Sequence, residues 1–430
     1  MRVLWFTNDP MPAVARRLGR PVAGTGHWIP RLLASLIHEP GLQVEIATVY
    51  PGLRDEQFEE EGIRYFVIGQ PKKPNIFFDC RRQDLQACSD LVRQRTPDLV
   101  HVHGTERFYG LLSARKLIDS PTVISLQGLL SGYRRSFFGA LSFPEVWKSN
   151  QLLELSSRRG LYWQYRAYCR GARQEQEILE RAEAFLGRTE WDRAYVRCAN
   201  PDTPYYHVGE ILRPAFENAV WDLSKCQRHS VVFTNCGHPR RGTETLLDAL
   251  PLLCRSVPDL HIKLAGSIGN RRGYERFLRR RIERSGFSHR IAFLGYLSAE
   301  KMAEHLRGSH VFAIPSYIEN SPNSLCEAMQ IGMPVVASYA GGMPSLVDQE
   351  RTGLFFPAGD AAMLAQTILR IFSDDELASR LGRSARTDAS LRHDPTKVVT
   401  DLLSAYRAAM LGPTGVASQK PGRGVLSGVR

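Results

Sequence analysis

The sequence is poor in cysteine: eight among 430 residues, scattered and never in a C-x-x-C pair. A disulfide-stapled fold and a structural zinc site are therefore both excluded. No stretch approaches the roughly 18–20 apolar residues that span a bilayer. The apolar start, residues 1–6, runs straight into Asn8, Asp9 and Pro10. That is too short for a secretory signal, and no small-residue cleavage site follows. A cytoplasmic chain is expected, free or peripheral at the inner face of a membrane. Acidic residues are the minority charge, 44 Asp and Glu against 56 Lys and Arg, leaving a net charge of +12. The surplus predicts an anionic partner without choosing among nucleic acid, anionic lipid and a phosphorylated small molecule. No basic run or recognition motif accompanies it, so nucleic acid is not expected.

What is present is ample material for cores. At 43% hydrophobic and 23% charged, the chain is neither disordered nor collagen-like, and its length suits two or three domains. Short apolar runs alternate with helical stretches, the pattern of an α/β fold with doubly wound parallel sheets. A first series of strands is read at 3–6, 44–49, 66–68, 99–102 and 123–126, with helices at 29–38 and 79–94. A second series is read at 231–234, 261–265, 291–294, 311–314 and 334–337, separated by apolar-striped helices at 246–254, 274–285 and 301–307. The break falls near 211–226. This predicts a first domain over 1–211 with a helical insertion at 130–181, and a second over 212–395. A final helix at 396–411 is expected to pack back on the first domain, ahead of a Gly-, Ser- and Pro-rich tail at 412–430. The insertion interleaves arginines with aromatic rings, and stacking on an acceptor sugar, contact with an anionic membrane and ordinary helical packing all fit it.

In open α/β sheets ligands bind beyond the carboxyl ends of the strands, so the loops there are the places to search. After the strand at 311–314 come Glu319 and Glu327, one in a loop and one inside the next helix, with Asn323 or Ser324 as the expected N-cap. Backbone N–H groups at a helix start attract a diphosphate, and carboxylates accept hydrogen bonds from ribose and sugar hydroxyls. The spacing alone arises roughly once or twice by chance in a chain this long; its place between strand and helix is what raises it. Arg241 and Gly242 precede another helix, where a guanidinium can grip phosphates bidentately, although solvated loop arginines are common. Gly24 and Gly26 lie in a long loop before a helix and can turn backbone donors toward phosphate. His101-Val-His103-Gly104-Thr-Glu106 ends a strand, with His103 a candidate for proton transfer or a substrate hydroxyl, or else a structural histidine. Gln127 occupies the neighbouring strand end. His103 lacks a third ligand for zinc, and no Asp-x-Asp pair is placed to hold a metal between phosphates, so no metal site is expected.

Ser309-His-Val-Phe-Ala-Ile-Pro-Ser316, Glu319-x7-Glu327-Ala328, Gly332-Met-Pro-Val-Val-Ala337, and the stretch from Gly341-Gly342-Met-Pro344 to Gly359-Asp360 together resemble the carboxyl half of family-four retaining glycosyltransferases. Arg241-Gly242, Ala265-Gly266 and Phe293-Leu-Gly295-Tyr296 add to the match, and the first half is similar more loosely. The resemblance implies the GT-B fold, two Rossmann-like domains facing across a cleft. It implies a nucleoside-diphosphate sugar as donor substrate, with no further cofactor. Glu327 matches the ribose-binding glutamate, Glu319 the donor-sugar contact, and Arg241 the diphosphate contact. Asn320, Ser321 and Ser324 match loop donors around sugar and phosphate, Gly295 and Tyr296 the base site, His103 a catalytic-site histidine, and Gly24 and Gly26 the phosphate-facing loop. Where many members carry a second basic residue, this chain reads Thr234-Asn-Cys-Gly237, leaving Arg240 or another loop to supply that charge. The expected reaction is metal-independent, retaining transfer to a carbohydrate or lipid-linked hydroxyl in cell-surface polysaccharide or glycolipid synthesis. A nucleotide-sugar epimerase of the same fold, and a non-enzymatic anion or nucleic-acid binder, are the alternatives.

Overall fold

The computed structural model describes residues 1–19, 28–52, 54–71, 79–149, 160–266 and 273–412. Their strands form two sheets. The first holds β1 (Arg2–Thr7), β2 (Gln43–Pro51), β3 (Glu56–Glu60), β4 (Ile63–Gln70), β5 (Leu99–His103), β6 (Thr122–Ser125), β7 (Phe185–Gly187) and β8 (Tyr205–His207). Its order is β3-β4-β2-β1-β5-β6-β7-β8, parallel throughout except for β3, which runs antiparallel to β4 at the edge. The second holds β9 (Gln227–Thr234), β10 (His261–Ala265), β11 (Ile291–Gly295), β12 (Ser309–Ile314), β13 (Val335–Ser338) and β14 (Leu354–Phe356). Its order is β11-β10-β9-β12-β13-β14, all parallel. Two Rossmann-like α/β domains result. Central strands β5 and β12 are buried along their whole length; in β12 this shows as the apolar run 311–314, while β5 carries the buried His101 and His103 among its apolar residues.

Four strands had no counterpart in the sequence reading. β7, β8 and β14 have three residues each, too few to show a period, and β3 (Glu-Gln-Phe-Glu-Glu) carries acids on an edge that needs no apolar cover. The helix Asn323–Gln330 starts without a side-chain cap, and Pro322 rather than Asn323 or Ser324 occupies the N-cap position. The helix Pro395–Leu411 lies against the first sheet through Val398, Leu402 and Tyr406. The Tyr406 hydroxyl accepts from Trp5 Nε1 at 3.1 Å and meets His101 Nδ1 at 2.6 Å, so the end of the chain is tied to its beginning.

The described part of the insertion holds two short helices, Leu130–Tyr133 and Phe143–Ser149, and a long one, Leu161–Arg181. It packs on both domains: Ile178 and Leu179 lie in a core of the first, and other residues cross to the second. Phe137 and Leu161 belong to that domain's core, joined by partly buried Phe138, Leu141, Tyr165 and Tyr168. Arg281 of the helix Gly273–Arg284 reaches Glu145 at 3.2 Å. Most of the aromatic rings therefore serve packing, while Phe143 and Trp147 stand out at 82% and 62% exposure. No helix among the described residues is long and apolar enough to cross a membrane.

Candidate active site

Each sheet reverses its strand order once near its middle, at β1/β5 in the first and β9/β12 in the second. Loops leaving the carboxyl ends at such points diverge and open a crevice. Here the two crevices face each other across a cavity of about 410 Å³. Its walls include Trp28, Glu106, Gln127, Tyr133 and Arg188 from the first domain, and Arg213 from the connecting segment. The second domain supplies Thr234, Asn235, Arg240, Arg241, Gly295, Tyr296, Glu319, Ser321, Ser324 and Glu327.

The second-domain wall is built from carboxylates met by guanidinium groups. Glu319, 4% exposed, pairs with Arg241 and stands 3.5 Å from Arg240. Arg240 is held in place by the Tyr133 ring, 4.2 Å from its guanidinium carbon. Arg241 leaves the short turn Pro239–Arg241, which ends at Gly242 with φ of 73°. A Cβ at Gly242 would overlap the Pro315 carbonyl oxygen at the end of β12. Glycine there lets the chain pass β12 and start the helix Thr243–Ser256, so its close approach is to the protein, and Gly242 is absent from the cavity wall. Glu327 is paired bidentately with Arg213, at 2.7 Å from Nε to Oε1 and 2.8 Å from Nη2 to Oε2. Burial pushes the Glu327 carboxyl up and Arg213 pulls it down, the net direction being upward. Ser321 donates to Glu210 at 3.2 Å, and Glu210 also holds Arg188 at 2.9 Å.

On the first-domain side, His103 is fully buried between Trp5, His101 and Trp28, and neither ring nitrogen has a hydrogen-bond partner among the described residues. Burial, reinforced by His101 and Arg188, holds it well below the usual histidine range, so it is neutral near pH 7. It lies behind the cavity wall rather than in it. Gln127 does reach the cavity, with a buried Nε2 that has no partner among the described residues. Gly24 and Gly26 lie outside the described residues.

Asn320 is turned away from the cavity. Fully buried, it accepts from Thr189 Oγ1 at 2.6 Å and donates to Asp192 Oδ2 at 3.0 Å and to the Gln127 carbonyl at 3.3 Å. The loop between Glu319 and Ser321 is thus pinned to the first domain, and the expected sugar contact is in the structure an interdomain staple.

Arg188, Arg213 and Glu106 were not singled out from sequence as site residues. Arg188 follows β7, too short to flag its loop, and stacks on Trp28 with its guanidinium carbon 4.3 Å from the ring. Arg213 lies in the segment between the sheets, where no pattern marks it. Glu106 ends the His101–Glu106 motif, accepts from Asn8 Nδ2 at 3.0 Å, and is pushed up to about 8 mainly by burial. The second cationic contribution missing from 234–237 is available from Arg188, Arg213 and Arg240 on the same cavity. Among the described residues, no group of three or more His, Cys, Asp or Glu could hold a metal ion.

Comparisons with known proteins fit this geometry. Residues 226–388 match the family model "Glycosyl transferases group 1", and residues 23–208 the model "Glycosyl transferase 4-like domain". A D-inositol 3-phosphate glycosyltransferase of Corynebacterium efficiens is 30% identical over 42% of this chain and 42% of its own length. The chain thus spans less than half of that relative. A 2-deoxystreptamine N-acetyl-D-glucosaminyltransferase of Streptomyces fradiae is 27% identical over 90% of this chain and 88% of its own. Among solved structures, sucrose-phosphate synthase of Thermosynechococcus elongatus superposes with a TM-score of 0.70 at 18% identity, covering 95% of this chain and 98% of that one. Anabaena HepE in complex with UDP and glucose gives 0.64 at 16%, covering 95% and 100%. These two likenesses establish the fold.

Proposed function

The chain belongs to the family-four type of GT-B glycosyltransferases, and from that premise we propose that it moves a sugar, with retention, from a nucleoside-diphosphate sugar to a carbohydrate or lipid-linked hydroxyl. One observation carries the reading: Glu319 and Glu327, eight positions apart, line a single interdomain cavity together with four arginines. Glu327 would accept from the ribose, Glu319 from the sugar, and Gly295 and Tyr296 would lie along the base. Ser321 and Ser324 would donate to sugar and phosphate.

Departure of the diphosphate is the costly event, because negative charge grows on the leaving oxygen. Arg241 and the N–H groups at the start of Asn323–Gln330 are aimed at that charge from fixed positions, and losing one such donor commonly costs about 3–4 kcal/mol of barrier. With guanidinium groups in that role, we propose transfer without a metal ion or other cofactor. The leaving phosphate oxygen would take the acceptor's proton on the face of attack; neutral, enclosed His103 would shape the site rather than shuttle protons. The outward face of Phe143–Ser149, with Phe143, Trp147 and Lys148 exposed, supports peripheral contact with an anionic membrane and a lipid-linked acceptor in cell-surface synthesis. Incubation with a panel of nucleotide sugars, followed by nuclear magnetic resonance, tests the donor half. Saturation transfer from one donor is expected, and its loss in Glu327→Gln; equal affinity of both proteins for every donor bound contradicts the assignment.

A further inference from the structure

We propose that Arg213 is a positioning residue for the donor: from the segment between the sheets, it holds the Glu327 carboxylate in the place and ionised form that accept ribose hydroxyls. This rests on the donor reading above. The geometry is that of a fixed clamp. Both guanidinium contacts are direct, the side chains of Arg213 and Glu327 are 19% and 3% exposed, and Arg213 lies over the Phe216 ring at 4.9 Å. A bidentate pair takes one acceptor site on each carboxylate oxygen and leaves others open, and both residues border the cavity.

The charge state follows from what surrounds the carboxyl. Arg213 is the cation pairing with it. Glu210, itself held by Arg188, opposes its ionisation, and Cys326 adjoins it on the same helix. Glu300, on the helix Ala299–Arg307, is a further carboxylate close enough to feel the Arg213 charge. Without Arg213, burial and Glu210 both favour the neutral acid. A neutral carboxyl is a weaker acceptor, since hydrogen bonds to an ionised group are about twice as strong. Deprotonation at higher pH restores the acceptor, which separates this role from simple packing: a packing defect weakens binding alike at every pH.

The experiment is calorimetric titration of the full chain with UDP, GDP and the dideoxy analogues of each, lacking both ribose hydroxyls. Wild type, Arg213→Met, Arg213→Lys and Glu327→Gln are compared at about pH 6.5 and about pH 8.5, with thermal midpoints recorded without nucleotide. Wild type is expected to prefer the ribose form of the nucleotide it binds at both pH values. Arg213→Met should lose about tenfold in ribonucleotide affinity at the lower pH and regain most of it at the higher, with dideoxy binding unchanged. Arg213→Lys, a cation with one contact, should fall between, which a folding defect in the Met variant would not produce. Unchanged ribose preference in Arg213→Met, or an equal loss at both pH values, overturns the proposal. Equal binding of ribose and dideoxy forms by wild type, or a Glu327→Gln variant that keeps full ribose preference, instead overturns the donor reading.

Discussion

Replacing Asn320 with Ala removes the amide that joins the loop after β12 to the first domain. The amide is fully buried and makes its contacts across the domain boundary, to Thr189, to Asp192 and to the end of β6. The bond to the Asp192 carboxylate is charge-assisted, and with the amide gone Asp192 keeps Tyr205 at 2.5 Å and backbone donors while one acceptor site is left empty. The Thr189 hydroxyl loses its acceptor at the same time. One charged and two neutral buried hydrogen bonds, less what relaxation recovers, amount to about 2–4 kcal/mol. At roughly 2–4 °C per kcal/mol for a domain of this size, the apparent midpoint should fall by roughly 5–15 °C. Differential scanning calorimetry reads that shift, and small-angle scattering on the same samples should show a larger radius of gyration as the cleft opens. A midpoint within about 1 °C of wild type, with unchanged scattering, refutes the staple.

Arg241→Ala should lower kcat by about a hundred- to a thousandfold once a donor is found, because a preorganised cation at the leaving phosphate is lost; an unchanged kcat in steady-state assays removes Arg241 from that role. Burial holds Glu106 up at about 8, above its unfolded value of 4.5. The folded chain therefore keeps a proton that the unfolded chain has shed between those values, and its stability contribution falls as pH rises through that window. Chemical denaturation of Glu106→Gln at several pH values should show the variant gaining on wild type from the acid to the alkaline end; parallel profiles would refute it. Trp147→Glu, at a site 62% exposed, should abolish most sedimentation with phosphatidylglycerol-containing vesicles and leave the thermal midpoint unchanged. Equal sedimentation of variant and wild type would deny this helix a membrane role.

Legibility in the sequence followed the range of the interactions. The read strand 311–314 lies within β12, where a buried parallel strand shows as an unbroken apolar run behind Ser309 and His310. Glu319 and Glu327 could be placed in loop and helix from neighbours within ten positions, and the structure brings both to one cavity. Of their arginine partners, Arg241 was legible beside Gly242 ahead of a helix, whereas Arg213 lies 114 positions from Glu327, in a segment without periodicity. Asn320 had been grouped with its neighbours Glu319 and Ser321, but each step along an extended loop turns the next side chain another way, and this one enters the other domain. The aromatic-rich insertion, for which packing was one of three readings, shows the same dependence on distant partners. Phe137, for one, packs beside the ring of His238 at 4.8 Å and joins the insertion to the second domain.

Sugar transfer itself is tested most directly by incubating the full chain with the donor selected by the binding screen and a set of glycan and lipid-linked acceptors, in EDTA, and following the anomeric proton by nuclear magnetic resonance. The prediction is donor consumption only when an acceptor is present, with the product carrying the donor's anomeric configuration. Release of a modified sugar without acceptor, an inverted product, or activity that EDTA abolishes would each contradict it.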